Sequence, residues 1–130
     1  MLSKVRKGVE MAGVVHKSFG SPDETRPFEG GSGQVEVIST DAGAVGRATF
    51  MPGWKWSEHV RPIAGTESCQ AAHSGYVVSG RMVVAMDDGE EVEIGPGEFV
   101  QIAPGHDGWV VGEEPCVFID WQGFADYAKR

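Results

Sequence analysis

Residues 71–102 read AAHSGYVVSGRMVVAMDDGEEVEIGPGEFVQI, and this stretch decides the fold class. Short runs rich in valine, isoleucine and aromatic residues are separated by turn signals that contain glycine, a pattern typical of β-strands. The pattern predicts strands over 71–78, 81–86, 91–94 and 99–102. Because only Ser79-Gly80 separates the first two runs, we expect them to form a hairpin.

The same pattern continues on both sides of this stretch. Further short runs predict strands over 34–38, 45–51, 54–59, 109–111 and 116–121. No segment has the spacing of an amphipathic helix of useful length. Many short strands with turns at nearly regular intervals are typical of a barrel or sandwich. We therefore predict one all-β domain, which a chain of 130 residues is long enough to form.

The chain divides into three parts. Residues 1–33 are predicted to form an extended N-terminal arm, because glycines and prolines are dense between 18 and 33. Residues 34–123 carry the strand pattern and are predicted to form the barrel. Residues 124–130 are assigned as a C-terminal tail.

Charge and composition exclude several classes of function. The net charge is −8, and an acidic surface repels nucleic-acid backbones and anionic membranes. No apolar run approaches the roughly 18 residues of a transmembrane helix. The N-terminus has no secretory pattern, so we expect a cytoplasmic protein. The two cysteines, Cys69 and Cys116, are expected to be buried thiols rather than a disulfide.

Three of the four histidines stand beside glycine turns at the edges of predicted strands. Gly53 is followed after five residues by His59, and His73 is followed after six residues by a glycine. These spacings resemble the first motif of the cupin superfamily, with Arg61 in place of its second histidine and His73 in place of its glutamate. Residues 62–69 lie between the two halves of the motif as an inserted loop at the barrel mouth.

The second cupin motif is matched by Gly97 and Gly105, with His106 directly after Gly105 in a shifted register. Pro104 is displaced by one position, and the chain has no asparagine to end the motif. The resemblance, over about residues 45–121, implies a single cupin-type β-barrel, also called a double-stranded β-helix or jelly roll. It also implies a homodimer, because cupins commonly pair through sheets and arms.

The resemblance further implies a metal site formed by His59, His73 and His106. Three neutral imidazoles suit one divalent transition metal ion (Zn, Fe or Ni) better than they suit magnesium or calcium. The residues alone leave a second interpretation of each histidine open. His59 and His73 can be hydrogen-bonded pocket or core residues, and His106 can be a turn residue.

Three more residues are candidates for substrate binding. Arg61 suits the capture of a substrate carboxylate, or else forms a surface ion pair. Trp109 follows His106 by three positions and is a candidate to line the pocket. Cys69 is a candidate binding residue, fourth metal ligand or redox thiol, or else a small buried apolar residue. No catalytic residue is identified.

Two functions fit these residues. One is a small metal-dependent oxygenase or isomerase that acts on a small organic acid. The alternative is a non-catalytic cupin module that binds or senses a small ligand. The same barrel serves both, so the fold does not decide between them. In either case a small molecule is the expected partner, besides a second copy of the chain.

Overall fold

The computed structural model describes residues 13–122 and 127–130. Within these residues lie nine strands, two four-residue helices and one 3-10 turn, so the predicted all-β class is confirmed. The strands are β1 (Glu24–Pro27), β2 (Gly33–Thr40), β3 (Gly43–Phe50), β4 (His73–Ser79), β5 (Arg81–Met86), β6 (Glu91–Ile94), β7 (Phe99–Ile102), β8 (His106–Val111) and β9 (Cys116–Asp120). The helices are α1 (Trp56–His59) and α2 (Arg61–Ala64), and the 3-10 turn spans Glu29–Gly31. None of the helices in the described parts is long and apolar enough to span a membrane.

Two antiparallel sheets form the double-stranded β-helix. The larger sheet has the order β1-β2-β3-β9-β4-β7, and the smaller sheet has the order β6-β5-β8. Alternate side chains of both sheets meet in one apolar cluster, which includes Val35, Val77, Val84 and Phe118. This follows from the period of two along each strand, which sends every second side chain inward. The core therefore lies between the sheets.

The predicted hairpin across Ser79-Gly80 is wrong. β4 pairs with β7 and β9, whereas β5 pairs with β6 and β8, so the two strands belong to different sheets. Gly80 has φ +76°, and a Cβ there would lie 2.2 Å from the carbonyl oxygen of Pro115. Only glycine fits this position. The glycine thus turns the chain from one sheet into the other, which a turn signal alone does not distinguish from a hairpin.

The predicted strand over 54–59 is also wrong, because α1 begins at Trp56. Trp54 and Trp56 are both buried, and their separation by two residues produced the strand-like pattern. The chain is helical beyond this pair because the amide groups of Glu58 and His59 both donate to the carbonyl oxygen of Lys55. The alternating pattern of 54–59 therefore runs across the boundary between extended chain and helix α1.

The N-terminal segment contains a strand that was not predicted. β1 pairs with β2 from Glu24 opposite Val37 to Pro27 opposite Gln34. Pro27 lacks the amide hydrogen that strands use to pair. It is tolerated here because it ends an edge strand, where no further strand needs that hydrogen bond. Residues 1–12 of the predicted arm lie outside the described residues, as do residues 123–126 at the junction of barrel and tail.

The last four residues return to the β1 end of the larger sheet. The Arg26 Nη1 group donates to the carbonyl oxygen of Tyr127 over 2.9 Å. Arg130 donates to the carbonyl oxygen of Pro27 over 2.9 Å and also pairs with Glu29. These contacts hold Tyr127 against the inside of the barrel, where the candidate site lies.

Candidate metal centre

Two strands, one from each sheet, bring two histidines together. His73 is the first residue of β4 and His106 is the first residue of β8. Both side chains are buried, and their ring centroids are 5.4 Å apart. Gly75 follows His73 on the same inward face, where a Cβ would lie 2.0 Å from the carbonyl oxygen of Ile119. The small residue lets β4 and β9 approach closely beneath the site.

A backbone bridge adds Cys69 to this pair. The Cys69 amide donates to the carbonyl oxygen of His106 over 2.7 Å, and the Gly105 amide donates to the carbonyl oxygen of Cys69 over 2.7 Å. The side chain is only 2% exposed. Cys69 Sγ lies 3.7 Å from His73 Nε2, and one potential ligand atom from each of Cys69, His73 and His106 lies within 4.8 Å of the others.

The far side of each imidazole is held by an oxygen atom. His73 Nδ1 lies 2.6 Å from Asp120 Oδ2, and His106 Nδ1 donates to the carbonyl oxygen of Ala103 over 2.9 Å. Asp120 is itself 1% exposed and also accepts hydrogen bonds from the amides of Ser74 and Gln122. Hydrogen bonds of this kind fix the orientation of metal-binding histidines and leave Nε2 as the ligand atom.

The three groups also shift each other's acidity. Burial raises the pKa of Cys69, but hydrogen bonds and charge interactions with His106 and His73 outweigh it and lower the pKa to about 6. Burial lowers the pKa of His73, but Asp120 and Cys69 outweigh it and raise the pKa to about 9. Near pH 7 the main forms are therefore a thiolate and an imidazolium, and the thiolate is the form that binds metals.

The donor set fits a transition metal ion. A thiolate and two imidazoles are preferred ligands of zinc and of other borderline or soft ions, whereas magnesium and calcium prefer oxygen. Two such ligands on a tetrahedral zinc ion are separated by about 3.5 Å, close to the 3.7 Å between Cys69 Sγ and His73 Nε2. His73 would release its Nε2 proton when an ion binds.

Cys69, His73 and Asp120 also form a chain of contacts from thiol to imidazole to carboxylate. This is the arrangement of a cysteine nucleophile that is activated by a histidine general base. That chemistry leaves unexplained why His106 stands within ligand distance of the other two groups. A metal ion accounts for all three ligand atoms at once. The geometry therefore favours a metal centre over a cysteine nucleophile.

A cavity of about 50 Å³ opens inside the barrel beside the two histidines. Its polar end is formed by His73, His106, Asp107 and Asp120. The rest of its wall is apolar and includes Phe50, Trp54, Trp56, Met82, Ile94 and Phe118. Tyr127 closes one side and meets the His73 ring edge-on, with centroids 5.2 Å apart. Few polar groups in an apolar wall are the usual lining of small-molecule sites, whereas the volume is well below the roughly 300–1,000 Å³ of sites for drug-sized ligands.

The structure brings together only some of the residues that were predicted for the site. His73 and His106 meet, and Cys69 joins them. His59 is not part of this group. It lies in α1, not on an inward-facing strand, and its Nδ1 accepts a hydrogen bond from the Lys55 amide over 3.0 Å.

Arg61 and Trp109 do not line the interior cavity either. Arg61 is the first residue of α2 at the surface, and its Nη2 donates to both carboxylate oxygens of Glu67, over 3.0 and 2.9 Å, in a surface ion pair. Trp109 is half-buried on β8, with the ammonium group of Lys55 5.3 Å from its ring centroid.

Sequence reasoning missed Asp120 and Tyr127. Asp120 ends the apolar run from Cys116, and a carboxylate in a buried strand is a signal that it has a buried partner. Tyr127 has no such signal, because contacts of the chain end with the distant residues Arg26 and Pro27 help to place it.

The family model described as a cupin domain matches residues 63–122, which span the centre and the strands β4 to β9. These residues carry a cupin domain. No curated protein sequence matches this cupin.

Solved structures share the cupin fold at low sequence identity. A protein of unknown function from Acinetobacter sp. ADP1 is 10% identical with a TM-score of 0.57, over 77% of this chain and 90% of its own. A double-stranded β-helix protein from Klebsiella pneumoniae is 20% identical with a TM-score of 0.53, over 88% and 94%. A cupin-like protein from Thermotoga maritima is 18% identical with a TM-score of 0.50, over 72% and 69%. These similarities show the fold.

Proposed function

We propose that this cupin binds one divalent transition metal ion (Zn, Fe or Ni) through Cys69, His73 and His106, and binds a small molecule in the cavity beside the ion. The observation that carries the proposal is the convergence of three ligand atoms within 4.8 Å, on buried side chains whose orientation Asp120 and the Ala103 carbonyl oxygen fix. Preorganised ligands need little rearrangement to bind an ion.

The proposal differs in one residue from the set that the sequence motif implies, which has His59 where the proposed set has Cys69. The two sets are separated by metal analysis of protein purified without an affinity tag and loaded with zinc. We expect about one ion per chain in wild type and in His59→Ala, and loss of the ion in Cys69→Ala and His73→Ala. Loss of zinc in His59→Ala with retention in Cys69→Ala would support the motif-derived set instead.

The chemistry at the ion has two candidates. When bound, a transition metal ion supplies a Lewis acid and, in the case of iron, a site for oxygen chemistry. A metal-dependent oxygenase or isomerase is one candidate, and a binding or sensor module without turnover is the other. The apolar cavity beside the ion supports ligand binding in both cases. Arg61 pairs with Glu67 outside the cavity, and no guanidinium group of the described residues lines the cavity to bind a small organic acid.

Oxygen consumption by the iron-loaded protein separates the two candidates. The panel contains small acids and small neutral ketones and alcohols, and each is also tested for binding by a thermal shift. Turnover that disappears in His73→Ala and persists in His59→Ala supports the enzyme. Saturable binding without turnover across the panel supports the binding module.

We propose a homodimer that forms through the outer face of β4 and β7. Tyr76, Phe99 and Trp121 are 44%, 60% and 50% exposed, and the rings of Phe99 and Trp121 are stacked with centroids 6.0 Å apart. Adjacent exposed aromatic rings of this kind are frequent in protein interfaces. Sedimentation of Phe99→Glu should show a monomer where wild type is a dimer. Val92→Glu, at an exposed apolar residue of β6, is the matched control and should stay dimeric.

We also propose that the protein works in the cytoplasm. Both cysteines are free and buried, as expected from the sequence, and free thiols are typical of a reducing compartment. The acidic net charge supports the absence of nucleic-acid partners. Cell fractionation followed by immunoblotting tests the location directly.

A further inference from the structure

A groove with a volume of about 660 Å³ lies outside the barrel interior. One wall comes from α1, α2 and the loop that follows them, and the other comes from residues 127–130. Trp56 and Tyr127 line both the groove and the interior cavity, and Cys69 lines the groove as well. The volume lies within the roughly 300–1,000 Å³ of small-molecule sites. The groove therefore has room for an organic ligand next to the candidate metal centre.

The helical wall of the groove is apolar and open to solvent. Val60 joins the two helices, and the amides of Ile63 and Ala64 both donate to its carbonyl oxygen, over 2.8 and 2.9 Å. Val60 is 1% exposed, whereas Ile63 is half-buried and Ala64 is exposed. Covering apolar surface of this kind removes it from water, which favours the binding of an apolar body.

The opposite wall is a chain end that is held in a fixed position. Arg26 donates to the carbonyl oxygen of Tyr127, and Arg130 donates to the carbonyl oxygen of Pro27. Between them Ala128 is 4% exposed and has φ +54°, and no other non-glycine residue of the described chain has a positive φ. Such a backbone persists only where its surroundings hold it, and it is frequent at binding sites.

The charge of the groove is opposite to that of the chain. Lys129 and Arg130 are the only charged residues among its described lining, although the net charge is −8. Arg130 pairs with Glu29. Lys129 forms no ion pair in the described part of the chain, and nearby Glu24 has both carboxylate oxygens bonded to Arg26. One ammonium group is therefore available to an anionic ligand.

We propose that this groove binds a small carboxylate with an apolar body. The carboxylate lies on the ammonium group of Lys129, and the body packs on Ile63 and Ala64 beside Cys69. A single available cation matches a singly charged carboxylate better than a doubly charged phosphate, which usually needs several donors. The site goes beyond the proposed function, because it lies outside the barrel interior and does not need the metal ion.

The test is isothermal titration calorimetry of the full chain, with ¹H–¹⁵N amide spectra to locate the site. The protein is freed of metal and then dialysed free of chelator, since common chelators are themselves carboxylates. The main probe is 3-phenylpropanoate, and 3-phenylpropanamide is its neutral analogue with the same number of heavy atoms. 3-Phenylpropylammonium is the cationic analogue, and propanoate is the anion without the ring.

We expect 3-phenylpropanoate to bind saturably and to shift amide resonances of residues 63–71 and 127–130. The amide should bind roughly three- to tenfold more weakly, because it loses one partly exposed charge-assisted contact. Propanoate should bind at least about tenfold more weakly, because it lacks the apolar body. The cation should bind more weakly than the amide.

Matched variants test the two parts of the groove. Lys129→Gln should remove most of the preference for the carboxylate over the amide. Lys17→Gln makes the same change in net charge at a lysine that pairs with Asp23 and does not line the groove, so it should keep that preference. Ile63→Ala should weaken the carboxylate and the amide by the same factor.

Equal binding of the carboxylate and the amide, or tighter binding of the cation, would overturn the anionic class. Equal effects of Lys129→Gln and Lys17→Gln, or shifts confined to other residues, would overturn the location. Because no metal is present, these results do not depend on the outcome of the zinc analysis. The wild-type series alone decides the ligand class, so poor folding of a variant does not prevent that decision.

Discussion

Cys69 and Cys116 are the same residue type, are both free and are both almost completely buried, yet their surroundings give them opposite chemistry. Cys69 lies beside His73 and His106, and these neighbours lower its pKa to about 6. Cys116 is the first residue of β9 in the apolar part of the cavity, where burial, aided by the charge of Glu114, raises its pKa to about 11.

The difference shows that burial does not by itself make a thiol inert. Burial opposes the thiolate at both positions, because charge is costly in a medium of low polarity. At Cys69 two imidazole groups within reach reverse this effect, whereas at Cys116 no such group stands nearby to do so in the described residues. The polar end of the barrel thus stabilises a thiolate, whereas the apolar part keeps its thiol protonated.

The largest expected effect is on thiol acidity. In metal-free protein, the far-ultraviolet absorbance of thiolate should rise in one step near pH 6 and should show no second step below about pH 9, since the two thiols differ by about five pH units. Cys69→Ala should remove the step, and Cys116→Ala should leave it in place. A step that remains near 9, the ordinary value for a cysteine, in Cys116→Ala would show that the histidines do not stabilise the thiolate.

The second largest difference between the two cysteines is expected in their effect on zinc affinity. We expect Cys69→Ala to weaken zinc binding at least about 100-fold, because even outer hydrogen-bond partners of metal ligands are worth about 10- to 100-fold. Cys116→Ala, the matched control, should bind zinc like wild type. Competition with a chromophoric chelator measures both constants. Equal weakening in the two variants would mean that the barrel as a whole, and not the thiolate, determines affinity.

The polar end should also make stability depend on pH. Burial lowers the pKa of His73, but Asp120 and Cys69 together raise it from 6.5 to about 9. Their interactions with the imidazolium therefore stabilise the fold fully below about pH 6.5 and stop doing so as the pH rises through about 9. Asp120→Asn should therefore lower the free energy of unfolding by about 3 kcal/mol at pH 6, and by less at pH 9.5.

Urea unfolding at the two pH values measures this dependence. Cys116→Ala is the control, because its thiol stays protonated across the range and its cost should be the same at both values. A cost of Asp120→Asn that does not change with pH would argue against a charged His73 in the folded protein.

The smallest effect is expected from a hydroxyl in place of each thiol. Cys116→Ser puts a polar group into an apolar site and should cost about 1–3 kcal/mol of stability. In Cys69→Ser the new hydroxyl can form hydrogen bonds with His73 and His106, as the thiol does. The substitution should therefore cost less, about 1 kcal/mol or under. Thermal unfolding of the metal-free proteins gives both values. The reverse order would mean that the surroundings of Cys69 are the less tolerant of the two.

Local pattern was sufficient for most strands and failed where the tertiary structure overrode it. The predicted runs at 81–86, 91–94 and 99–102 coincide with β5, β6 and β7. The pattern at 54–59 was misleading, because Trp54 and Trp56 are buried on either side of a change from extended chain to helix. At Gly80 the turn was found, but whether a turn pairs its flanking strands or moves the chain to another sheet depends on distant strands.

The candidate site shows the same division. His73 and His106 were named from their positions beside glycine turns, and Cys69 was named as one of two possibilities. Asp120 and Tyr127 were not found, because they reach His73 from β9 and from the chain end. A side chain that contributes through a partner 47 positions away leaves no periodic mark in the sequence.

The sequence by itself therefore determined the all-β class, the cupin resemblance and two histidines of the candidate metal centre, since period, turn chemistry and motif spacing are local properties. Only the tertiary structure decided that Cys69, not His59, lies beside them and that Asp120 fixes His73. The reason is physical: acidity, ligand geometry and hydrogen-bond satisfaction depend on which atoms surround a group, and the pairing of β4 with β9 and of Cys69 with His106 determines those surroundings.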